Sequence, residues 1–567
     1  MRRAHLWAGG VGVLLLVCAG LFLLKAPAAP AGEDTSAPSV EWINRLVREK
    51  WSEDPDNPIR PSPEATDGEF IRRLFLDVLG RIPTAEEARD YITSKDPNKK
   101  INLVNRILFE EPYASEYASY WATVWSDMLI GRNPARDVSK ASLEKWLRDA
   151  FASNRSWKEI VYDLITATGG STPESLKDGI PFNGAVNFLM AHVGDRATKN
   201  VPATSFTTRY FLGVQVQCTQ CHDHPFNDRT QADFWGINAF FQRMERVDVT
   251  DVDDTGRRIF RYAILRDRPL YGGEPLFVLY ERRNGLMIAA VPRFLDGREI
   301  RESREGLNLR KELAEWITSA DNPYFAPAIV NRMWGHFLGR GIVHPVDDLG
   351  DHNPPSNPEL LYQLAQNFKE NGYDLKELIR WIVLSEPYGL SSKTTPSNER
   401  DDVYFSRYLL KQMSPDQFFN SLMTASEAYK TGAVTPERAY RLKQELKRQF
   451  TAVFGNDENT EADTFAGTIP QALLMMNGRL IQQATSLDKG SYLRRLIDSH
   501  RRKYGRSAPA RIIDELYLSA LSRFPTRKER ALALRLVATY ARRGEEDKAY
   551  QDIFWALLNS NEFALIH

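Results

Sequence analysis

Cysteine is scarce in this chain. Three occur in 567 residues, Cys18, Cys218 and Cys221, too few for the disulfide framework that holds small secreted domains together. An excess of charge of one sign is missing as well. The 74 Lys and Arg residues balance 74 Asp and Glu, so no global field draws the protein to nucleic acid, and none is expected as a partner. The few basic runs, such as Arg501-Arg502-Lys503, read as solvated helix faces. No G-x-S-x-G, Walker loop, dinucleotide fingerprint or H-E-x-x-H is present, so nucleotide-using and common hydrolase mechanisms have no motif behind them.

A long apolar run occurs once, from Leu6 to Leu24, after Arg2 and Arg3 and before Lys25. At helical rise it nearly spans the hydrocarbon core of a bilayer. Ala26-Pro27-Ala28 offers a small-residue cleavage pattern. Residues 1–25 are therefore expected to be a signal anchor or a signal peptide, with the anchor favoured. The positive flank stays inside and the rest is exported, which predicts a periplasmic or cell-envelope protein held at the inner membrane. Residues 26–39, rich in Ala and Pro, read as a flexible linker.

An apolar content of 43% beside 26% charged residues is that of a globular protein, and the length suggests several domains. From residue 40 the apolar positions recur at helical spacing. Helices are predicted over 68–80, 84–94, 99–110, 113–130, 139–152 and 156–167, followed by loop over 169–190. Residues 246–304 change character. Asp254-Thr255-Gly256 separates β-branched and aromatic runs such as 258–264, and further strand-like runs follow at 276–280 and 286–291. The expected fold is mainly α, with a helical domain over 40–245, a small β-rich insertion over 246–304 and a second multi-helix domain over 305–567.

Residues 70–84 echo 512–526, and each copy ends in a capping-box pattern, Thr84 with Glu87 and Thr526 with Glu529. A reused helix–turn–helix packing unit accounts for the echo.

Both cysteines of the exported part lie in Cys218-Thr219-Gln220-Cys221-His222. C-x-x-C-H is the attachment pattern of c-type haem, in which two thiols form thioethers to the porphyrin vinyl groups and the adjacent imidazole ligates iron. Haem c on Cys218, Cys221 and His222 is the leading reading. A Zn or Cu site using the thiolates with His224 and a remote ligand is an alternative, as is a redox disulfide. His192, Met244 and His336 are the candidates for a further ligand. A second constellation runs from Asn331 to Asn353 and includes Arg332, His336, His344, Asp347, Asp348, Asp351 and His352. It holds either acid–base or cation-binding groups, with Arg332, His336, Asp347 and Asp348 the catalytic candidates, or residues that cap turns around Pro354-Pro355. Turn capping is the favoured of the two.

Cys218-x-x-Cys221-His222-x-His224-Pro225-Phe226, followed by Thr230-Gln231 and Phe240-Phe241, resembles the planctomycete cytochrome C-like domain. Ala314–Asn322-Pro323, Asn331-Arg332-x-Trp334-x-His336, Pro355–Leu361 and Trp555–Phe563 resemble the planctomycete-specific partner domain that usually follows it. Arg229 departs from the pattern, standing where an aromatic is expected. The resemblance implies an exported, mainly helical two-domain protein and implies no reaction. Together these readings predict a membrane-tethered periplasmic haem redox protein that exchanges electrons with a partner protein or oxidises a substrate near 331–352. A non-haem metal-binding or scaffold protein of the envelope is the alternative.

Overall fold

The computed structural model describes residues 39–135, 137–194, 200–431, 435–454 and 478–567. The expected anchor and most of the linker lie outside them. Among the described residues no helix is long and apolar enough to cross a membrane.

Among the described residues seven helices come first: α1 Glu41–Trp51, α2 Asp67–Leu79, α3 Ala85–Thr93, α4 Lys99–Phe109, α5 Tyr113–Ile130, α6 Lys140–Ala152 and α7 Trp157–Thr166. Their starts follow from capping chemistry. Thr66, Thr84 and Ser156 each accept from the backbone N–H three residues on, and Glu69, Glu87 and Glu159 reach back to the cap. The stretch expected to be loop contains short structure: a two-residue strand β1 at Gly169–Gly170, a 3-10 turn at Pro173–Asp178 and helix α8 at Val186–Met190. Fully buried Asn187 donates to the carbonyls of Ser171 and Gly184. Such local side-chain bonding leaves no trace in hydrophobic periodicity.

Helices α9 Val201–Thr207 and α10 Gln231–Ala239 lead into the β-rich part. Strands β2 Met244–Val252 and β3 Arg258–Asp267 pair antiparallel through a turn whose Asp253 carboxylate accepts three hydrogen bonds from Thr255 and Arg257. β1 adds to β3 in the order β1-β3-β2, and β4 Val278–Glu281 pairs with β5 Met287–Ala290 as a separate ribbon.

The helical pattern resumes with α11 Leu309–Ile317, α12 Phe325–Leu338, α13 Pro358–Glu370, α14 Leu375–Leu384, α15 Glu386–Gly389, α16 Pro415–Ser426 and α17 Pro436–Phe454. Six further α-helices among the described residues, from Arg479–Ala484 to Asn561–Ala564, complete the mainly helical fold.

Pro38–His567 fall in one compact unit rather than separating at the β-rich part. The sequence echo helps explain why. In the first copy Arg81 bridges Glu87 and Glu116 at 2.9 and 2.6 Å, and in the second Arg523 bridges Glu529 and Glu562 at 2.9 and 2.6 Å. The two copies also pack on each other. Arg72 of α2 is fully buried and donates to the carbonyls of Ala520 and Phe563 at 3.0 and 2.7 Å, and Arg89 pairs with Glu515. The segments around residues 72–89 and 515–563 are thereby packed together.

Candidate functional site

The Cys motif sits on a 3-10 turn, Gln217–Gln220, with Cys221 at its C-terminal end. Three residues per turn bring positions i and i+3 over one another, so Cys218 and Cys221 share a face. Both thiols are free and exposed, whereas Thr219 between them is buried and donates to the Val216 carbonyl at 2.7 Å. The turn is held from behind by α10. Gln231 and Trp235, one helical turn apart, both donate to the Gln220 carbonyl at 3.1 Å, and the Gln231 N–H donates to Asp223 Oδ1 at 2.8 Å. Trp235 stacks in turn on Tyr280 of β4, the ring planes 6° apart.

Two hydrogen bonds set the histidine chemistry. His222 Nδ1 lies 2.7 Å from the Asp223 carbonyl oxygen, which can only accept. Neutral His222 therefore carries its proton on Nδ1 and leaves the Nε2 lone pair open, the form a metal-ligating imidazole needs. His224 is the reverse. Its Nδ1 accepts the Phe226 backbone N–H at 3.2 Å, so the neutral ring keeps its proton on Nε2. The His224 backbone N–H also donates to the Arg229 carbonyl at 2.8 Å. Arg229 reaches the Tyr324 hydroxyl at 2.6 Å, which gives the residue that departs from the aromatic pattern a polar tether instead.

The second constellation lies against the first. The Leu349 N–H donates to the Gly213 carbonyl at 2.8 Å, and Asp347 pairs with Arg209 and accepts from Gln215 Nε2 at 2.8 Å. Arg332 donates to the Arg209 carbonyl at 3.3 Å. Asn331 pins the loop from within α12, exchanging hydrogen bonds with Val343 at 2.8 and 2.9 Å. The outer end of the loop carries His352, bonded to Asp348 at 2.9 Å, and its ring centroid lies 6.3 Å from that of His224. Burial raises the Asp347 carboxyl, but the Arg209 guanidinium outweighs it and holds the group below the usual carboxylate range. A nearly buried carboxylate engaged by Arg209 and Gln215 has the partners of a tie between segments.

Of the remaining candidates, His192 and Met244 are buried and His336 is half-buried. His192 is 6% exposed, stacks on Phe206 at 3.9 Å and bonds through Nε2 to the Leu129 carbonyl at 2.7 Å. His336 packs 4.9 Å from Trp121 and bonds through Nε2 to the Asp77 carbonyl at 3.1 Å. Burial pushes both imidazoles down to about 4. Met244 opens β2 and is buried. Beside His336, buried Asp77 accepts from Lys411, Tyr388 and Tyr408, with only Lys411 reaching partly toward solvent. Among the described residues no three His, Cys, Asp or Glu side chains converge closely enough to hold a metal ion.

Two family models match the chain. Residues 42–246 match PSCyt2, a protein of unknown function (DUF1549), and residues 309–537 match PSD1, a protein of unknown function (DUF1553). The chain carries these two planctomycete cytochrome-C-associated domains, in that order. No curated protein and no solved structure matches it. The Cys turn and His224 therefore belong to the PSCyt2 domain, and Asp347, Asp348 and His352 to PSD1. Sequence reading treated these as separate places. Arg209 and Gln215 carry no motif, and the i,i+4 spacing of Gln231 and Trp235 on a capped helix is the signal that places both against the turn.

Proposed function

We propose that this chain is an exported, membrane-tethered redox protein carrying one c-type haem, with thioethers from Cys218 and Cys221 and His222 as an axial ligand. It passes electrons to or from a partner protein. The observation that carries the reading is the combination at one turn of two exposed thiols on a common face and an imidazole whose Nδ1 is already bonded, leaving Nε2 for iron. Haem supplies reversible one-electron chemistry when bound. The chain's own groups anchor it, orient the imidazole through the Asp223 carbonyl, and brace the turn through Gln231 and Trp235. Neither His192, Met244 nor His336 serves as a further ligand in this reading, since His192 and Met244 are buried and the half-buried His336 is bonded to the Asp77 carbonyl and packed on Trp121.

The Zn or Cu alternative asks His224 to complete the thiolate pair, against the proton its Nε2 carries. The test is protein matured in a host with haem-attachment machinery. A pyridine haemochrome spectrum with iron at one per chain is expected, abolished in Cys218→Ala/Cys221→Ala and retained in His224→Gln. Colourless protein with both thiols free would overturn the reading, and stoichiometric zinc or copper without iron would select the alternative.

A further inference from the structure

Away from the Cys turn, a cleft of about 610 Å³ opens between the two family domains. That size lies within the roughly 300–1,000 Å³ of small-molecule sites, which favour domain boundaries. One wall is α5 of the PSCyt2 domain and the other is α16 and α17 of PSD1.

The walls are built of hydroxyls with a particular polarity. Ser115, Ser119 and Thr123 recur every fourth residue along one face of α5, and Thr424 faces them from α16. Each hydroxyl hydrogen is already used: Ser115 donates to Glu111 at 2.8 Å, Ser119 to the Ser115 carbonyl at 2.9 Å, Thr123 to the Ser119 carbonyl at 3.2 Å and Thr424 to the Asn420 carbonyl at 2.9 Å. What they offer a ligand is oxygen lone pairs. The cleft is rich in acceptors and calls for a ligand rich in hydroxyl donors.

The cations of the cleft differ in what they have left to give. Arg81 is spent on Glu87 and Glu116, and Lys447 pairs with Asp416 at 2.9 Å. Lys443 has no ion pair among the described residues and lies 5.5 Å from the centre of the Tyr429 ring. Burial, with the neighbouring Lys447, lowers its pKa and outweighs the opposing pull of Glu116 across the cleft.

We propose that this cleft binds an anionic saccharide, its acidic group paired with Lys443 and its hydroxyls donating to the oxygens of Ser115, Ser119, Thr123 and Thr424. The site is independent of haem. It gives the chain a ligand-recognition role at the seam between its two domains.

Titration of the full chain by calorimetry and saturation-transfer NMR tests this with four probes: glucuronate, glucose 6-phosphate, glucose and acetate. Saturable binding of glucuronate or glucose 6-phosphate at least tenfold tighter than glucose and acetate supports the proposal, and the tighter of the two identifies the charge as carboxylate or phosphate ester. Lys443→Met should weaken the charged sugar about tenfold and leave glucose unchanged, with Lys443→Arg restoring binding. Ser119→Ala should weaken charged and neutral sugars alike. Half-exposed Lys443 and exposed Ser119 tolerate these changes, and circular dichroism verifies the fold. Acetate binding as tightly as glucuronate, no saturable binding of either charged sugar, or indifference to Lys443→Met would overturn it.

Discussion

Asp347→Asn separates a structural from a chemical role for the second constellation. The Asp347 side chain is 5% exposed and pairs with Arg209, itself 37% exposed, while Arg332 lies close behind. Removing one partner of a fully buried pair costs about 3–5 kcal/mol. The exposure of Arg209 and the retained Gln215 contact reduce this to roughly 2 kcal/mol. The loss is local, because Asp347 ties residues 209–215 to the 344–353 loop. Amide hydrogen exchange across both segments should therefore quicken about thirtyfold at pH 7, with the rest of the chain unchanged. Asp347 has a folded-state pKa below its unfolded value of about 3.9. Its contribution is thus complete above pH 4 and disappears as the pH falls through the folded value. The variant and the wild type should converge in acid when compared at the same pH. An acceleration that persists undiminished at pH 2 would refute the charge argument. Unchanged exchange at pH 7 would refute the tie itself.

Three further outcomes follow from the core. Gly80→Ala meets a positive φ of 69° and would place its Cβ 2.2 Å from the Tyr120 ring, so thermal unfolding should show a loss of about 3 kcal/mol or more. Arg72→Met leaves the Ala520 and Phe563 carbonyls without that donor; a cost of roughly 2–4 kcal/mol in urea unfolding, with early proteolysis of the C-terminal helices, is expected. His192 and His336 are held at about 4, below the unfolded value of about 6.5. Each therefore favours the folded state fully above pH 6.5 and loses roughly 3 kcal/mol of that as the pH falls to 4. His192→Gln should flatten the pH dependence of the urea midpoint between pH 7 and 4.5, and an unchanged slope would exclude it as a source.

The helices from 67 to 166 were legible from their apolar stripes, reinforced at Thr66, Thr84, Ser139 and Ser156 by side-chain caps, and both signals are local. The hairpin turn at 253–256 and the ribbon strands were legible from β-branched runs for the same reason. The echo was legible as sequence, but not its consequence: nothing local in 70–84 announces that Arg72 will reach the backbone of residues 520 and 563. The candidate site divides in the same way. Cys218, Cys221 and His222 stand out in one dimension, whereas the packing of Leu349 on Gly213 and of His352 beside His224 depends on tertiary closure between segments more than a hundred residues apart. His192 and His336 were attractive as ligands because a histidine in an apolar sequence is ambiguous. Burial resolves it: an imidazole with one nitrogen on a carbonyl and an aromatic ring against its face is satisfied without a metal.

The surplus in the signature, His224-Pro225-Phe226, now has a physical account that bears on the choice of cofactor. A haem anchor needs two thiols and one imidazole, so the extra residues could be read as further ligands. Instead the His224 ring accepts the Phe226 N–H, and its backbone N–H closes on the Arg229 carbonyl. The turn is thereby sealed and handed to the capped start of α10 at Thr230. Gln231 then returns to bond the carbonyl of Gln220, between the two cysteines. The segment from 217 to 231 is a closed brace whose interior polar groups are satisfied by one another. The two exposed thiols and His222 Nε2 take no part in the hydrogen bonds of this brace, and in the proposed reading they are the groups that would hold haem.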